Sequence, residues 1–322
     1  KAPFKSILSH GFVVDGKGMK MSKSMGNVIS PEDILKNYGA DILRVWASAS
    51  DYAEDLRIDK NILIQHAESY RKIRNTFRFM LGNLKDKFEK QNFEKIKLNE
   101  FDELEQYILH KLFIIGKSVE ENLKNYNFHK LYKELLNFCA LDLSSFYFDI
   151  RKDVLYCDSL NSKKRKNCVI VLNIILESLL KWFAPILVFT TEEIYSLVNN
   201  KESIHENYFV KIPQNWKNDL LDQKWSDLFK IKQEANIAIE EKRISKEIGS
   251  SLEAEIKLSL KKEKFELLDG LDLAEYFIVS KAEKTISNNG EIIIEVNKAK
   301  GEKCERCWKI SEVKCKRCSN LA

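Results

Sequence analysis

Apolar residues recur every three or four positions through the middle of the chain. This is the period of a helix that buries one face. The longest such series is Leu63, Ala67, Tyr70, Ile73, Phe77, Leu81 and Leu84. The same spacing predicts further helices over about 101–123, 128–148, 168–184 and 223–245. Thr190 with Glu193 predicts one more, opened by a capping box and reaching about Val198. Several of these helices, joined by short loops, predict an antiparallel bundle.

Strand-like patterns occur on both sides of this helical region. Residues 4–14 are short and rich in β-forming side chains, which predicts a strand that ends at Asp15. After a glycine-rich loop, Ser30 and Pro31 predict the start of a helix that Gly39 ends in a left-handed conformation, and a second helix follows within 40–50. Near the other end, apolar residues alternate with polar ones over 253–260, and 288–296 reads as a turn and a strand. The patterns near the other end predict a small α/β module at about 220–300.

Composition narrows the class without fixing the function. The 322 residues suggest about two domains, and only four prolines and eleven glycines favour long helices. A formal net charge of +5 permits a nucleic-acid partner without requiring one. The most apolar stretch, 168–189, carries Asn173, Glu177 and Lys181 on one face, which predicts a buried helix rather than a membrane span. No signal peptide is recognised at the start, and seven cysteines without one indicate a reducing cytoplasm.

Four cysteines close to the end have the spacing of a metal site. Cys304, Cys307, Cys315 and Cys318 form the pattern C-x2-C-x7-C-x2-C. Two such pairs bring four thiolates to a tetrahedron, which favours one structural Zn2+ with no open coordination position. Residues 301–322 hold too few apolar side chains to fold without such a centre. Redox or disulfide use is the alternative. The remaining cysteines, at 139, 157 and 168, are expected to be buried free thiols.

A second candidate site is the stretch GKGMKMSKSMGN, residues 16–27. Its glycines allow the backbone to approach a ligand closely. Lys17, Lys20 and Lys23 lie within seven positions. Concentrated positive charge on a flexible loop suits a polyphosphate that gains charge as it leaves. The alternative is a solvated surface loop.

The amino-acid sequence of this loop resembles a known family signature. Residues Lys20, Met21, Ser22, Lys23 and Ser24 are identified as the KMSKS signature of class I aminoacyl-tRNA synthetases. The continuation GNVISPEDILKNYGADILRVW resembles the members of this class for aliphatic amino acids. Four further stretches resemble the branch specific for isoleucine: DYAEDLRIDKNIL, ESYRKIRNTFRFMLGNL, NFHKLYKELLNFC and WFAPILVFTTEEIY. The closing GEKCERCW with CKRC resembles the zinc-binding tail of the bacterial members of that branch.

The resemblance implies a mainly α architecture in four parts. Residues 1–58 would end a class I Rossmann catalytic domain and carry the signature loop, and 59–215 would form a helical anticodon-binding domain. Residues 216–300 would be the small α/β module, and 301–322 a zinc-binding ribbon or knuckle.

The resemblance also implies an activity. The enzyme activates isoleucine with ATP, accompanied by Mg2+, to isoleucyl-adenylate, and then transfers the aminoacyl group to tRNA(Ile). Lys20 and Lys23 would contact the ATP phosphates, with Met21, Ser22 and Ser24 completing the ATP-binding loop. The parent protein would be a cytoplasmic monomer.

Residues that would touch the tRNA are less sharply indicated. RNA recognition uses aromatic and arginine planes together with lysines on phosphates. Candidates are Trp182, Trp308, Arg306, Arg317 and the basic loop 161–167 with Lys163–Lys166. Trp182 lies in an apolar helix, where an aromatic side chain is more often a core residue than an RNA contact, and Trp308 fits packing against the zinc ligands. His10 and His129 are expected to be structural.

Two features of the family pattern are absent from the 322 residues: the HIGH signature and an editing domain. The resemblance therefore implies a C-terminal fragment that would not activate an amino acid alone. Two alternatives remain, namely a non-catalytic zinc-containing tRNA-binding module and another aliphatic-specific class I synthetase, valyl or leucyl.

Overall fold

The structure is a computed structural model that describes residues 3–84, 88–199, 202–287 and 291–319. The first part of the chain forms β1 Val13–Asp15, α1 Pro31–Tyr38, α2 Ala40–Ala49, β2 Leu56–Ile58, α3 Lys60–Leu84, α4 Glu103–Lys124, α5 Phe128–Asn137, α6 Phe148–Cys157, α7 Lys163–Phe183 and α8 Val188–Val198. Then follow α9 Asp219–Ile244, β3 Ala254–Leu260, α10 Lys262–Leu267, α11 Leu273–Tyr276, β4 Lys281–Ile286, β5 Ile293–Lys298, β6 Glu302–Lys303, β7 Ile310–Ser311 and α12 Lys316–Ser319. The mainly helical architecture expected from the sequence is confirmed.

The chain divides into two compact units whose segments interleave in the sequence. The first unit consists of 1–96, 111–145 and 170–213, and the second of 97–110, 146–169 and 214–322.

In the first unit, β1 and β2 pair in parallel, with Val13 opposite Leu56. The sequence predicted a longer strand over 4–14, but β1 is short because its partner β2 has only three residues. Apolar side chains of β2 pack with those of α1, α2 and α3 in one hydrophobic cluster. Its buried members are Ile34, Ile42, Trp46, Leu56, Ile58 and Leu63. Trp46 also donates its indole N–H to the Arg57 carbonyl at 2.9 Å, which fixes α2 on β2.

The predicted helix starts after the loop are confirmed. Ser30 accepts the backbone N–H of Asp33, and Pro31 occupies the first helical position of α1. Gly39 ends α1 with φ +86°, but its ψ of 164° is extended rather than left-handed helical. It also precedes α2 directly, so this glycine is a sharp corner between two helices.

Helix α3 has the buried face that its periodicity predicted. Leu63, Ile73, Phe77 and Leu84 are buried, and Met80 joins them. Asp59 opens the helix, because its side chain accepts the N–H of Ile62 at 2.8 Å.

Helix α8 begins two residues before the predicted capping box. Its first residue is Val188, and no side chain at its own N-terminus caps it. Instead, the buried carboxylate of Asp41 accepts the backbone N–H of Phe189 at 3.2 Å and that of Thr190 at 2.8 Å. Thr190 donates its hydroxyl to the same carboxylate at 2.6 Å. The capping-box interpretation of Thr190 and Glu193 was therefore wrong, because the cap comes from α2.

Two other helix expectations need correction. The single helix predicted over 128–148 is instead α5, a wider π-helical stretch Phe138–Tyr147, and α6. The predicted basic loop 161–167 contains the first turn of α7, which starts at Lys163.

In the second unit, β3 is the centre of a three-stranded sheet, parallel to β4 and antiparallel to β5. The alternation in β3 is confirmed, since Ala254, Ile256, Leu258 and Leu260 are all buried. Strand β4 was missed because its sequence KAEKTI carries no apolar alternation. The strand expected within 288–296 is β5, and residues 288–290 of the expected turn lie outside the described residues.

Within the described residues, no helix combines the length and apolar character that crossing a membrane requires.

Candidate functional site

The lysine-rich loop is a folded structure closed at its neck by Asp15 and Asn27. Asp15 ends β1 and accepts the backbone N–H groups of Lys17 at 3.0 Å and Met19 at 2.8 Å through Oδ1. Its other oxygen accepts the Asn27 side-chain amide at 3.0 Å. These hydrogen bonds, with Asn27 first among them, lower the pKa of Asp15 below its ordinary value. The carboxylate is therefore ionised at neutral pH and directed at the loop backbone.

The distal part of the loop is a single 3₁₀ turn, Lys23–Met25. Ser22 opens it by accepting the Met25 N–H at 3.3 Å. Gly26 closes it with φ +65°, a conformation that glycine adopts without steric cost. The turn places Lys23 at its first position.

Lys17, Lys20 and Lys23 are all exposed. Lys20 and Lys23 form no ion pair with any residue in the described ranges. Asp15 is the only acidic residue among residues 1–31, and its oxygens accept from amide groups. The ammonium groups of Lys20 and Lys23 are thus available to an anionic ligand.

Gly16 allows the loop to begin where it does. A Cβ at this position would collide with the carboxylate of Asp59, the residue that opens α3. The absence of a side chain lets the start of the loop lie directly against the start of the long helix.

The second candidate site is the four-cysteine cluster at the end of the second unit. The sulfur atoms of Cys304, Cys307, Cys315 and Cys318 all lie within 4.8 Å of one another. Cys307 and Cys315 are 3.8 Å apart. A tetrahedral zinc with Zn–S bonds of about 2.3 Å has S–S edges of about 3.8 Å. The predicted cysteines are therefore brought together with room for one metal ion.

The backbone supports this arrangement. Strands β6 and β7 pair antiparallel, and Cys304 donates its N–H to the Lys309 carbonyl at 2.9 Å. Backbone N–H groups of Cys307 and Arg306 lower the pKa of the Cys304 thiol to about 7, whereas burial raises that of Cys307 to about 11. The low value at Cys304 favours the thiolate that a metal requires.

The cluster is held against helix α6. Cys157 packs against Cys307 and Cys318, and its thiol donates to the Arg306 carbonyl at 3.8 Å. Arg317, between the last two cysteines of the cluster, forms ion pairs with Asp153 and Asp158. Cys139, Cys157 and Cys168 are buried free thiols as expected, but Cys157 is also a neighbour of the cluster.

The candidate RNA contacts divide by exposure. Trp182 is 1% exposed and belongs to the core. Trp308 is 60% exposed and is open to a ligand. Arg306 is also exposed, but its guanidinium donates to the Tyr156 carbonyl at 3.2 Å. Arg317 is engaged by its two aspartates. Within the basic run Lys163–Lys166, Lys164 pairs with Glu275 and Arg165 donates to the Asp158 carbonyl, which leaves Lys163 and Lys166 exposed.

Sequence reasoning did not assign a role to Asp15, which precedes the lysine loop, or to Asn27, which is its last residue. A usable signal was present, since an isolated acidic residue and an asparagine flank a run of lysines and glycines. Such residues commonly bind the backbone of a turn.

Comparisons with known proteins match two parts of the chain to one group of enzymes. A family model described as "tRNA synthetases class I (I, L, M and V)" matches residues 1–59. Another, described as "Anticodon-binding domain of tRNA ligase", matches residues 105–258.

Curated relatives match almost the whole chain. The isoleucine–tRNA ligase of Pelagibacter ubique (strain HTCC1062) is 60% identical over 321 residues, which cover 99% of this chain and 36% of that protein. The isoleucine–tRNA ligase of Caldanaerobacter subterraneus subsp. tengcongensis is 41% identical over 329 residues, covering 97% of this chain and 35% of that protein. The chain thus spans about a third of the length of the curated relatives it matches.

A solved structure shares the fold. The LeuRS–tRNA–LeuAMS ternary complex from Agrobacterium radiobacter K84 aligns with a TM-score of 0.50 at 18% identity, covering 65% of this chain and 24% of that chain.

Proposed function

Because the chain belongs to the class I aminoacyl-tRNA synthetases, with isoleucine–tRNA ligases as relatives over nearly its whole length, we propose that the full-length protein is an isoleucine–tRNA ligase. It would join isoleucine to ATP as isoleucyl-adenylate and transfer the aminoacyl group to tRNA(Ile). In this proposal residues 1–58 belong to the catalytic domain, 59–215 bind the anticodon, 216–300 form an α/β module and 301–322 hold the metal. The protein would act as a cytoplasmic monomer.

The chemistry assigned to the loop is charge stabilisation. The isoleucine carboxylate, already anionic, attacks the α-phosphorus of ATP; a new oxygen–phosphorus bond forms and the bond to pyrophosphate breaks. Charge grows on the leaving phosphates, and preorganised cations are most effective where charge develops. Mg2+, when bound, would neutralise further phosphate charge. Lys23 and Lys20 supply the protein's share, with Met21, Ser22 and Ser24 forming the rest of the ATP-contacting loop.

One observation carries this proposal: two exposed lysines, unpaired among the described residues, stand on a folded loop within a chain that is 60% identical to an isoleucine–tRNA ligase. We expect Lys23→Ala in the full-length protein to slow isoleucine-dependent ATP–pyrophosphate exchange about a hundredfold, since loss of one comparable charge contact costs ~3 kcal/mol. Lys36→Ala, at an exposed lysine of α1, is the matched control and should change the rate less than twofold. A loss below threefold for Lys23→Ala would remove this residue from the mechanism.

The second part of the proposal is one structural Zn2+ on the four cysteines. Four thiolates saturate a tetrahedral ion, so the metal would stabilise the fold and leave no position for substrate. Metal analysis should give about one zinc per chain, and Cys307→Ser should abolish it, whereas Cys139→Ser should retain it. Zinc retained in Cys307→Ser would contradict this ligand set.

Substrate choice separates the proposal from its alternatives. Charging assays with isoleucine, valine and leucine distinguish the isoleucine enzyme from the valyl and leucyl ones. A protein that binds tRNA and zinc but charges none of the three would instead be the non-catalytic RNA-binding module.

Filter retention of tRNA(Ile) by Trp308→Ala, compared with the parent protein, tests whether the exposed indole belongs to the RNA surface.

A further inference from the structure

The contacts at the neck of the lysine loop carry an inference that rests on the proposed function and deepens it. Asn27 lies just beyond the signature residues, yet it makes three contacts that span the loop. Its amide nitrogen donates to Asp15 Oδ2 at 3.0 Å and to the Lys20 carbonyl at 3.2 Å. Its amide oxygen accepts the backbone N–H of Ser22 at 2.9 Å. One side chain thus ties the last residue of β1 to the middle of the loop.

Asp15 completes the arrangement from the opposite side. It binds the backbone of Lys17 and Met19 with one oxygen and Asn27 with the other. Two backbone bonds support the same neck: Gly18 donates its N–H to the Asp15 carbonyl at 2.9 Å, and Asp15 donates to the Met19 carbonyl at 2.9 Å. The segment between residues 15 and 27 is therefore cross-linked near Lys20 and immediately before Lys23.

The carboxylate of Asp15 binds the loop backbone and Asn27 without forming an ion pair with the lysines of the loop. Its oxygens accept from two backbone N–H groups and one amide, and no Lys Nζ of the loop lies within ion-pair distance among the described residues. A carboxylate paired directly with Lys20 or Lys23 would compete with a phosphate for that ammonium group. Here the carboxylate orders the backbone and the ammonium groups stay free, which is the preorganisation that electrostatic catalysis requires.

We propose that Asn27 and Asp15 are positioning residues for the synthetase reaction, which hold the loop so that Lys20 and Lys23 meet the departing pyrophosphate. They would touch neither ATP nor amino acid. Their contribution would lie in the geometry of the lysines, because a displacement of about 1 Å in a reacting group can cost on the order of a hundredfold in rate.

The test compares two asparagines in the full-length protein. Asn27→Ala removes the cross-link. Asn37→Ala removes an asparagine of α1 whose amide donates to the Asp33 carbonyl at 2.7 Å and, within the described part of the chain, to no other group. We expect Asn27→Ala to lower kcat of ATP–pyrophosphate exchange about tenfold and to leave KM for isoleucine within twofold. Asn37→Ala should leave both unchanged. Unaltered thermal unfolding in both variants excludes a general folding defect.

A double-mutant cycle gives a result that a purely structural role would not produce. If Asn27 acts by placing Lys23, the loss caused by Lys23→Ala must be smaller in the Asn27→Ala background than in the parent protein. Full additivity would overturn the proposal.

A polarity exchange provides the rescue. Asp15→Asn alone sets two amide nitrogens against each other, and Asn27→Asp alone sets two carboxylates against each other. The two changes together restore the donor–acceptor pair between positions 15 and 27 with its direction reversed and keep the bond from Ser22, but they do not replace the bond to the Lys20 carbonyl. We expect each single variant to be impaired and the combination to recover part of the lost kcat. No recovery, or an Asn27→Ala enzyme with the parent kcat, refutes the role of the pair.

The outcomes also separate this inference from the function on which it rests. A parent protein that shows no isoleucine-dependent exchange would refute the proposed function itself. An active parent that tolerates Asn27→Ala would refute only the positioning role. Trypsin cleavage after Lys17, Lys20 and Lys23 supplies a readout independent of activity, and it should accelerate in Asn27→Ala but not in Asn37→Ala. Equal cleavage would show that the loop does not depend on Asn27.

Discussion

At the scale of single residues, Arg151 of α6 carries a buried charge that depends on its ion-pair partners. It donates to both carboxylate oxygens of Glu105 at 2.7 Å and to Glu275 at 2.7 Å. Burial alone would lower the pKa of Arg151, but these carboxylates raise it well above its ordinary value. Removing one partner of such a group leaves the other charges buried and uncompensated.

We therefore expect Arg151→Ala to reduce the free energy of unfolding by about 3–5 kcal/mol, as measured by urea denaturation. The matched control is Arg243→Ala, because Arg243 pairs with Glu240 on the exposed face of α9. Its cost should stay within about 0.5 kcal/mol. An equal decrease in the free energy of unfolding for the two variants would contradict the expectation that the buried ion pairs contribute more than an exposed one.

A partly buried lysine gives the stability of the protein a pH dependence. Lys232 donates to the Tyr276 carbonyl, and burial lowers the pKa of its ammonium group from 10.5 to about 8. Between these values the unfolded chain binds more protons than the folded one, so this group makes the free energy of unfolding rise as the pH increases from 8 to 10.5. Lys232→Met should remove that part of the rise, whereas Lys230→Met, at an exposed neighbour paired with Asp227, should retain it.

At the scale of elements, local patterns predicted what local contacts determine. The start of α1 followed from Ser30 and Pro31, and the buried face of α3 followed from its apolar spacing. The start of α8 did not, because its cap is the side chain of Asp41, nearly 150 positions earlier in the chain. The first turn of α7 was mistaken for a loop, because lysines oppose the helix dipole there and the acidic partners of Lys164 are distant in sequence.

The cap on α8 can be tested directly. Asp41→Ala leaves the backbone N–H groups of Phe189 and Thr190 without their acceptor and takes one of two partners from the Thr190 hydroxyl, which also contacts the Tyr70 hydroxyl at 2.9 Å. We expect a loss of about 2–3 kcal/mol in the free energy of unfolding, again from urea denaturation. Asp51→Ala is the comparison, since Asp51 makes a similar bond to the Ala53 N–H in an exposed turn; its cost should be below about 1 kcal/mol.

At the scale of the whole molecule, chemistry was more predictable than topology. The spacing of Cys304, Cys307, Cys315 and Cys318 was enough to predict that their sulfurs meet, since a metal site constrains few degrees of freedom. The interleaving of three segments in each compact unit leaves no mark in composition or periodicity. The positions of Asp15 and Asn27 beside the lysines are visible in the sequence, but the backbone groups that they bind are defined only once the loop has folded.

Removal of the proposed zinc should affect residues 301–319 first. The short strands β6 and β7 have two residues each, too little pairing to persist without the cluster. We expect a zinc chelator to accelerate trypsin cleavage after Lys309 and Lys314, and added zinc to reverse the effect. Cleavage after Lys60, at the start of α3, serves as the internal reference and should not change. If the chelator leaves the rate of trypsin cleavage after Lys309 and Lys314 unchanged, the fold of this segment does not depend on metal.

The contact between Gly16 and Asp59 has a practical consequence for engineering. Asp59 both opens α3 and occupies the space that any side chain at position 16 would need. A transplanted loop that brought alanine or serine to position 16 would push against the first turn of α3. Chimeras built from two synthetases therefore have to exchange residues 16 and 59 as a unit, or leave both in place.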